Sequence, residues 1–74
     1  MTTAERIRRW RVWGKLTQRE MAKRCGLAQS SVSQWESGQT SPSLRHLETF
    51  CGVLGITLTK FWMRVPNVTA KNVD

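Results

Sequence analysis

The sequence predicts an all-α fold, one compact domain made of five short helices. Apolar residues recur at spacings of three and four along the chain, which places them on one face of a helix. Thr or Ser residues suited to capping a helix precede most of these segments, and glycines follow them. No segment alternates apolar and polar residues as a half-buried strand does. We expect residues 1–66 to form the domain and residues 67–74 a mobile tail.

The first helix is expected to run from about residue 3 to Gly14. Thr2 and Glu5 have the spacing of a capping box, and glycine is typical of a helix C-terminus. At about 100° per residue, Ile7, Trp10 and Arg11 share one face. The first helix therefore turns an arginine toward the core beside two large apolar residues.

A core-facing guanidinium needs a carboxylate partner unless its long side chain reaches solvent. Either arrangement is compatible with the position of Arg11. The available acids are Glu5, Glu20, Glu36, Glu48 and Asp74. The helical spacing alone does not choose among them.

Two further helices are expected on either side of a tight turn at Gly26. Thr17 and Glu20 repeat the capping box and open the second helix. The third helix begins near Ala28 or Gln29 and carries its apolar residues, with Trp35, on one face. Its opposite face contains only short or planar uncharged groups. These are Gln29, Ser30, Ser33, Gln34 and Ser37.

The uncharged face of the third helix favours base recognition over a role in solubility. Exposed helix faces usually carry Lys, Glu and Arg, which favour helix formation. Gln can pair with two atoms of adenine, and Ser can bond to several base edges. This pattern predicts a surface that reads DNA.

The fourth and fifth helices complete the domain. A turn-rich loop over residues 36–43 leads to Ser43, a good N-cap, and the fourth helix extends to about Leu54. Thr57 can cap a short fifth helix that Pro66 stops. The expected core comprises Ile7, Trp10, Leu16, Met21, Leu27, Val32, Trp35, Leu44, Leu47, Phe50, Leu54, Ile56, Leu58 and Phe61. His46 falls outside the apolar face and is expected at the surface.

The charge of the chain indicates a polyanionic partner. The net charge is +7 and the isoelectric point about 10.8. Residues 1–24 hold eight Lys and Arg against two Glu, a balance of +6. Nucleic acid fits this distribution better than a membrane surface, although a solvated basic face would also account for it.

Enzymatic, metal-dependent and membrane-spanning functions have no support in the sequence. Cys25 and Cys51 lie on apolar faces and are expected to be reduced core residues, and a single His cannot complete a zinc site. No arrangement of catalytic residues, phosphate-binding loop or cofactor motif is present. No apolar run approaches the roughly 18 residues of a membrane span. We therefore expect a soluble cytoplasmic protein that is not an enzyme, with no cofactor and no metal.

The sequence resembles the Cro/C1-type, or Xre-like, helix-turn-helix proteins of phage repressors, plasmid regulators and antitoxins. The motifs that carry the resemblance span residues 7–62. They are Leu16-Thr17-Gln18, Glu20, Ala22, Gly26-Leu27, Ser31-Val32-Ser33, Trp35-Glu36, Gly38, Pro42-Ser43-Leu44 and Leu54-Gly55-Ile56. The resemblance implies a repressor-like five-helix domain whose helix-turn-helix is formed by helices two and three.

The resemblance also implies roles for individual residues. Base contacts are implied for Gln18, Gln29, Ser30, Ser33 and Gln34. Phosphate contacts are implied at Thr17, Arg19, Ser37, Gln39, Thr40 and Ser41, several of them through backbone amides. Family members often pair a helix-one arginine with a helix-three glutamate, and Arg11 and Glu36 occupy those positions.

The expected function is sequence-specific regulation of transcription, with repression favoured. Binding would be to double-stranded operator DNA of palindromic sequence, by a homodimer. We expect the dimer surface to include Trp62, Met63 and Val65. The alternative is an antitoxin, whose main partner would be a toxin protein and whose DNA binding would be autoregulatory.

Overall fold

The computed structural model describes residues 1–68 and contains five α-helices in that part of the chain. Their bounds are α1 Thr3–Trp13, α2 Gln18–Cys25, α3 Gln29–Ser37, α4 Leu44–Leu54 and α5 Leu58–Met63. No strand occurs among these residues, so the all-α, five-helix prediction is confirmed. Most of the expected tail, residues 69–74, lies outside the described residues. None of the described helices is long and apolar enough to cross a membrane.

Four of the helices begin at the capping residues expected from the sequence. The hydroxyl groups of Thr2, Thr17, Ser43 and Thr57 each accept a hydrogen bond from the backbone amide three residues later. Only α3, among the described helices, begins without a side-chain cap, because its N-cap is Ala28. These bonds satisfy amides that the helices themselves leave without partners.

The turn between α1 and α2 places a lysine where a glycine is more common. Lys15 has a φ of 59°, in the left-handed region, whereas Gly14 before it has a right-handed φ of −78°. A Cβ atom on residue 14 would collide with Cδ2 of Leu54 on α4. A side chain at residue 14 would therefore force Leu54 to move, and in this turn it is Lys15 that adopts the left-handed conformation.

The core contains most of the residues expected from the helical spacing. Ile7, Met21, Val32, Phe50 and Phe61 have no exposed surface. Trp10, Leu16, Trp35, Leu47 and Ile56 are buried as well, and Leu27, Leu54 and Leu58 are partly buried against them. The burial of apolar area on this scale is what stabilises helices that are individually too short to persist.

Two expectations about α4 were wrong. Leu44 is 61% exposed rather than buried. It is the first residue of α4, and side chains in a helix lean toward the N-terminus, so Leu44 extends past the end of the packed region. His46 is half-buried rather than exposed, and its ring lies 5.6 Å from that of Trp35 on α3.

The C-terminal end of α5 is fixed to α1 by two side chains. Arg6 Nη1 donates to the carbonyl oxygens of Phe61, Trp62 and Arg64 at 3.1, 2.9 and 3.4 Å. Trp10 Nε1 donates to the Phe61 and Arg64 oxygens, each at 3.2 Å. The positive guanidinium lies at the negative end of a six-residue helix and bonds to carbonyl oxygens that the helix itself leaves without partners.

Helix α5 ends earlier than the sequence suggested. It stops at Met63, and Arg64 is extended with φ −129° and ψ 151°. Pro66 disfavours the helical conformation at the residue before it, Val65, so the chain has already left the helix when it reaches the proline.

Candidate nucleic-acid interface

Helices α2 and α3 are joined by a short turn that fixes the angle between them. Gly26 closes α2 in the left-handed conformation, with φ 73°, which few other residues adopt without strain. The Leu27 amide then donates to the Ala22 carbonyl oxygen at 2.8 Å. Because Met21 and Val32 are both fully buried, the apolar faces of the two helices lie in one core and their polar faces point away from it.

The outer face of α3 carries the five Gln and Ser side chains identified in the sequence. Gln29, Ser30, Ser33 and Ser37 are exposed, and Gln34 is half-buried. The Ser37 hydroxyl donates to the Gln34 carbonyl oxygen at 3.2 Å. In the described part of the chain, the side chains of Gln29, Ser30 and Ser33 take part in no hydrogen bond. Their donors and acceptors are therefore free to bond to another molecule.

Arg11 and Glu36 form the ion pair that the resemblance implied. Arg11 Nε lies 2.6 Å from Glu36 Oε2, and Arg11 Nη2 lies 2.9 Å from Glu36 Oε1. Arg11 Nη1 also donates to the Leu16 carbonyl oxygen at 2.8 Å. The two side chains are 0% and 2% exposed. A buried carboxylate held by two bonds from one guanidinium fixes the position of α3 relative to α1.

The Gln18 side chain joins this pair from α2. Its Nε2 atom donates to Glu36 Oε1 at 3.1 Å. Sequence reasoning did not find this bond, because it connects the first turn of α2 with the last turn of α3. Only the packed arrangement of the helices brings the two residues together.

The N-terminus of α2 offers two backbone amides that the helix does not use. The Thr17 amide donates to Glu20 Oε1 at 2.9 Å, and the Glu20 amide donates to the Thr17 hydroxyl at 3.0 Å. The amides of Gln18 and Arg19, in the first turn, remain outside the intrahelical bonds. Of the expected phosphate contacts here, Thr17 has its amide already committed, and Arg19 adds an exposed basic side chain.

The capping-box carboxylate is ionised over an extended pH range. The backbone amide of Thr17, and after it the Thr17 hydroxyl, hold the pKa of Glu20 below its ordinary value of 4.5. These bonds stabilise the charged form of the carboxyl group more than the neutral form.

The loop after α3 folds back onto the end of that helix. The backbone amides of Gln39 and Thr40 donate to the Gln34 carbonyl oxygen at 3.0 and 3.3 Å. The side chains of Gln39, Thr40 and Ser41 are exposed, as is Ser37. Three of the expected phosphate-contacting positions thus form a short surface segment anchored to the C-terminus of α3.

A shallow groove of about 320 Å³ brings α1 next to this segment. Arg8 of α1 lines it together with Ser37 and Gly38, at the point where α3 ends. Arg19, Lys23 and Arg24 of α2 are exposed. These basic residues belong to α1 and α2, whereas the outer face of α3 carries no charge.

The expected dimer surface is exposed at the end of α5. Met63 is 78% and Trp62 44% exposed, and Val65 is half-buried. Arg6 lies over the Trp62 ring, 5.5 Å from its centre. Large apolar groups exposed next to one another often mark a contact surface.

Metal binding and thiol reactivity have little support among the described residues. They contain no group of three or more His, Cys, Asp or Glu side chains able to hold a metal ion. Cys25 and Cys51 are free thiols, and burial raises the pKa of each. A raised pKa keeps a thiol protonated and unreactive near neutral pH.

Helices α2 and α3 are short and are joined by a left-handed glycine, and α3 has a polar face that points away from the core. This arrangement is that of a helix-turn-helix protein. The family described as helix-turn-helix matches residues 7–61. The chain belongs to this family, in its Cro/C1-type branch, as the motifs in the sequence indicated.

Similar proteins include two phage repressors. The chain is 37% identical over 59 residues to the immunity repressor protein of Bacillus phage phi105, an alignment that covers 80% of this chain and 41% of the relative. The chain thus spans about two fifths of that protein's length. It also resembles the solution structure of the DNA-binding domain of the P22 C2 repressor, with a TM-score of 0.78 and 26% identity. That match covers 95% of this chain and 97% of the domain. Both relatives are repressors rather than enzymes.

Proposed function

We propose that this protein is a transcriptional regulator that binds DNA through α3, and specifically a repressor that acts as a homodimer on a palindromic operator. The observation that carries the proposal is the outer face of α3. Gln29, Ser30 and Ser33 are exposed and have unused donors and acceptors, while the same helix is locked to the core by Glu36. A rigid helix that presents uncharged hydrogen-bonding groups suits the major groove.

The surrounding charges supply the attraction to the phosphate backbone. Arg8 borders the loop after α3, and Arg19 stands at the N-terminus of α2 with the unused amides of that turn. Helix N-termini bind anions because their amides and the helix dipole both favour negative charge. Binding to operator DNA would place the protein in the cytoplasm.

A selection of binding sites from random DNA duplexes tests this function. We expect a palindromic sequence with half-sites about 34 Å apart, one helical turn of DNA, because a symmetric dimer places its two α3 helices on the same side of the duplex. Enrichment of no sequence would contradict the proposal. Enrichment of a single half-site without its repeat would support sequence-specific DNA binding but would contradict binding as a dimer.

Gln29→Ala provides the corresponding test for one residue. It should weaken binding to the selected operator by about 1–3 kcal/mol and relax the preference at one base position of each half-site. Gel-shift titrations at fixed salt measure both effects when the duplexes vary at that position. Glu48→Gln, an exposed change on α4 outside every proposed contact, is the matched control and should leave the affinity unaltered. An unchanged affinity for Gln29→Ala would remove Gln29 from the reading face.

The antitoxin alternative would use the surface around Trp62 and Met63 for a toxin instead of a second copy. A repressor of the proposed kind would form dimers of identical chains, either free or on operator DNA. An antitoxin would instead bind a second, different protein through the same residues.

A further inference from the structure

The bond between Gln18 and Glu36 fixes which end of the glutamine amide faces the protein. An ionised carboxylate can only accept hydrogen bonds, so the Gln18 side chain must present its NH2 group to Glu36 Oε1. The amide oxygen and nitrogen lie on different sides of one planar carbon. The carbonyl oxygen of Gln18 therefore turns away from Glu36 and is available to another partner.

The carboxylate that holds Gln18 has little freedom to move. The Glu36 side chain is 2% exposed, and Arg11 bonds to both of its oxygens. Arg11 belongs to α1, Gln18 to α2 and Glu36 to α3, so one carboxylate joins three helices. A long side chain at the first position of a helix would otherwise lose conformational freedom on binding DNA, at a cost in affinity.

We propose that Glu36 is a positioning residue for DNA recognition, which orients Gln18 so that its carbonyl oxygen accepts from an exocyclic amino group of adenine or cytosine. This inference rests on the proposed function. Phosphate oxygens carry no hydrogen to donate, so a DNA partner of this carbonyl oxygen has to be a donor on a base. In the major groove, adenine N6 and cytosine N4 are the donors, whereas guanine and thymine present acceptors at the equivalent places.

The test removes the carboxylate while keeping a stable core. Substitution of Glu36 alone would leave Arg11 buried without its counter-charge, and such variants often fail to fold. The double variant Arg11→Met/Glu36→Leu replaces both charges by apolar groups of similar size, a change that proteins often tolerate. Thermal unfolding establishes that it is folded before DNA binding is measured.

Site selection is then compared among wild type, Gln18→Ala and the double variant. In the wild type, one position in each half-site should prefer adenine or cytosine. That preference should fall roughly threefold to tenfold in both variants, the range that the ordering of one side chain contributes. Gln18→Ala introduced into the double variant should then cause a smaller loss than it causes in the wild type, while the preferences assigned to Gln29 persist in all three proteins.

The outcomes separate this inference from the function it rests on. If the wild type selects an operator and the double variant retains every base preference, Glu36 does not position Gln18 and the proposed function still holds. If the wild type selects no sequence, both proposals fail.

A measurement without DNA tests the bond if the double variant does not fold. In the ¹⁵N-labelled wild-type protein, the Gln18 side-chain NH2 protons should exchange with solvent more slowly than those of Gln39, whose side chain is exposed. Gln18→Met should remove the slow pair of signals and leave the rest of the spectrum in place. Equal exchange rates for Gln18 and Gln39 would show that the amide is not held, and would overturn the proposal.

Discussion

At the scale of single residues, the most informative position is Lys15, which adopts a left-handed conformation that suits glycine. Its φ of 59° occurs in the turn between α1 and α2, directly after Gly14, which packs beside Leu54. A non-glycine residue in this region costs about 1–2 kcal/mol. The domain therefore contains a local strain that is independent of its DNA-facing surface.

Lys15→Gly should raise the free energy of unfolding by about 0.5–1 kcal/mol. Relief of the left-handed strain exceeds the extra freedom that glycine gains in the unfolded chain. Chemical denaturation measures the change. Lys15→Ala is the matched control, since it removes the same charge but keeps a Cβ atom, and it should not stabilise the protein. Equal stability of the two variants would show that glycine relieves no backbone strain at residue 15.

Glu20 should make stability depend on pH in the acidic range. The folded protein holds the pKa of Glu20 below 4.5, whereas the unfolded chain has the ordinary value. The unfolded state therefore binds more protons as the pH falls. The contribution is complete above the unfolded pKa of about 4.5 and is lost as the pH falls through the folded value.

Glu20→Gln should flatten this dependence. The amide oxygen can still accept from the Thr17 amide, but the residue no longer titrates. Melting temperatures measured from neutral to acidic pH should fall less in the variant than in the wild type. Glu48→Gln, which removes an exposed carboxylate on α4, is the control and should reproduce the wild-type slope. Parallel curves for Glu20→Gln and the wild type would exclude a role for the capping box.

At the scale of helices, α3 differs from the others in lacking a side-chain cap. Ala28 precedes it and makes no capping bond, whereas Thr2, Thr17, Ser43 and Thr57 cap the other described helices. The best-placed element for DNA binding is therefore also the one with the least local stabilisation at its N-terminus. Its position depends on Val32, Trp35 and the bond from Arg11 to Glu36.

Ala28→Ser should stabilise the domain by about 1 kcal/mol, because serine supplies the missing acceptor for a first-turn amide. Ala28→Asp should stabilise it at least as much through the helix dipole, yet weaken DNA binding by placing a negative charge beside the phosphates. Thermal unfolding and gel shifts measure the two effects. Ser43→Ala on α4 is the reverse change and should destabilise by a similar amount. No gain from either Ala28 variant would mean that the α3 amides are already satisfied by solvent.

The boundaries of the helices were the most predictable feature. Capping residues and glycines are local signals, and they located the starts of α1, α2, α4 and α5 correctly. The sequence pattern did not predict burial correctly where the packing of one helix against another determines it. Leu44 has the correct spacing for the core but extends past the end of α4, and His46 lies outside the apolar face yet contacts Trp35.

At the scale of the whole molecule, contacts between distant parts of the chain were the least predictable. The bonds from Arg6 to the end of α5 span 55 to 58 residues, and no single-sequence pattern signals them. The bond from Gln18 to Glu36 was missed for the same reason. The Arg11–Glu36 pair was expected only because related proteins place the same residue types there. Roles for individual residues on DNA remain predictions.

At the scale of the whole molecule, the testable prediction is that two copies of the protein form a dimer through the end of α5. Met63→Glu should raise the dissociation constant of the proposed dimer by about tenfold or more, equivalent to at least about 1.4 kcal/mol, because it places a charge in an apolar contact. Analytical ultracentrifugation over a range of concentrations measures this constant. Trp13→Ala alters another exposed tryptophan, 42% exposed and outside the proposed surface, and should leave it unchanged. A wild-type protein that stays monomeric both free and on operator DNA would contradict the dimer.

The separation of charge from the reading face has a consequence for how the protein evolves. On the proposed function, the counterions displaced from DNA are exchanged for basic side chains outside α3, such as the exposed Arg19, Lys23 and Arg24 of α2, so these residues determine the response to salt. The Gln and Ser side chains of α3 contribute to sequence preference and almost nothing to that response. New operators can therefore be acquired by changing the uncharged side chains of α3, or Gln18 of α2, while the general affinity for DNA, and with it the speed of the search along the chromosome, stays the same.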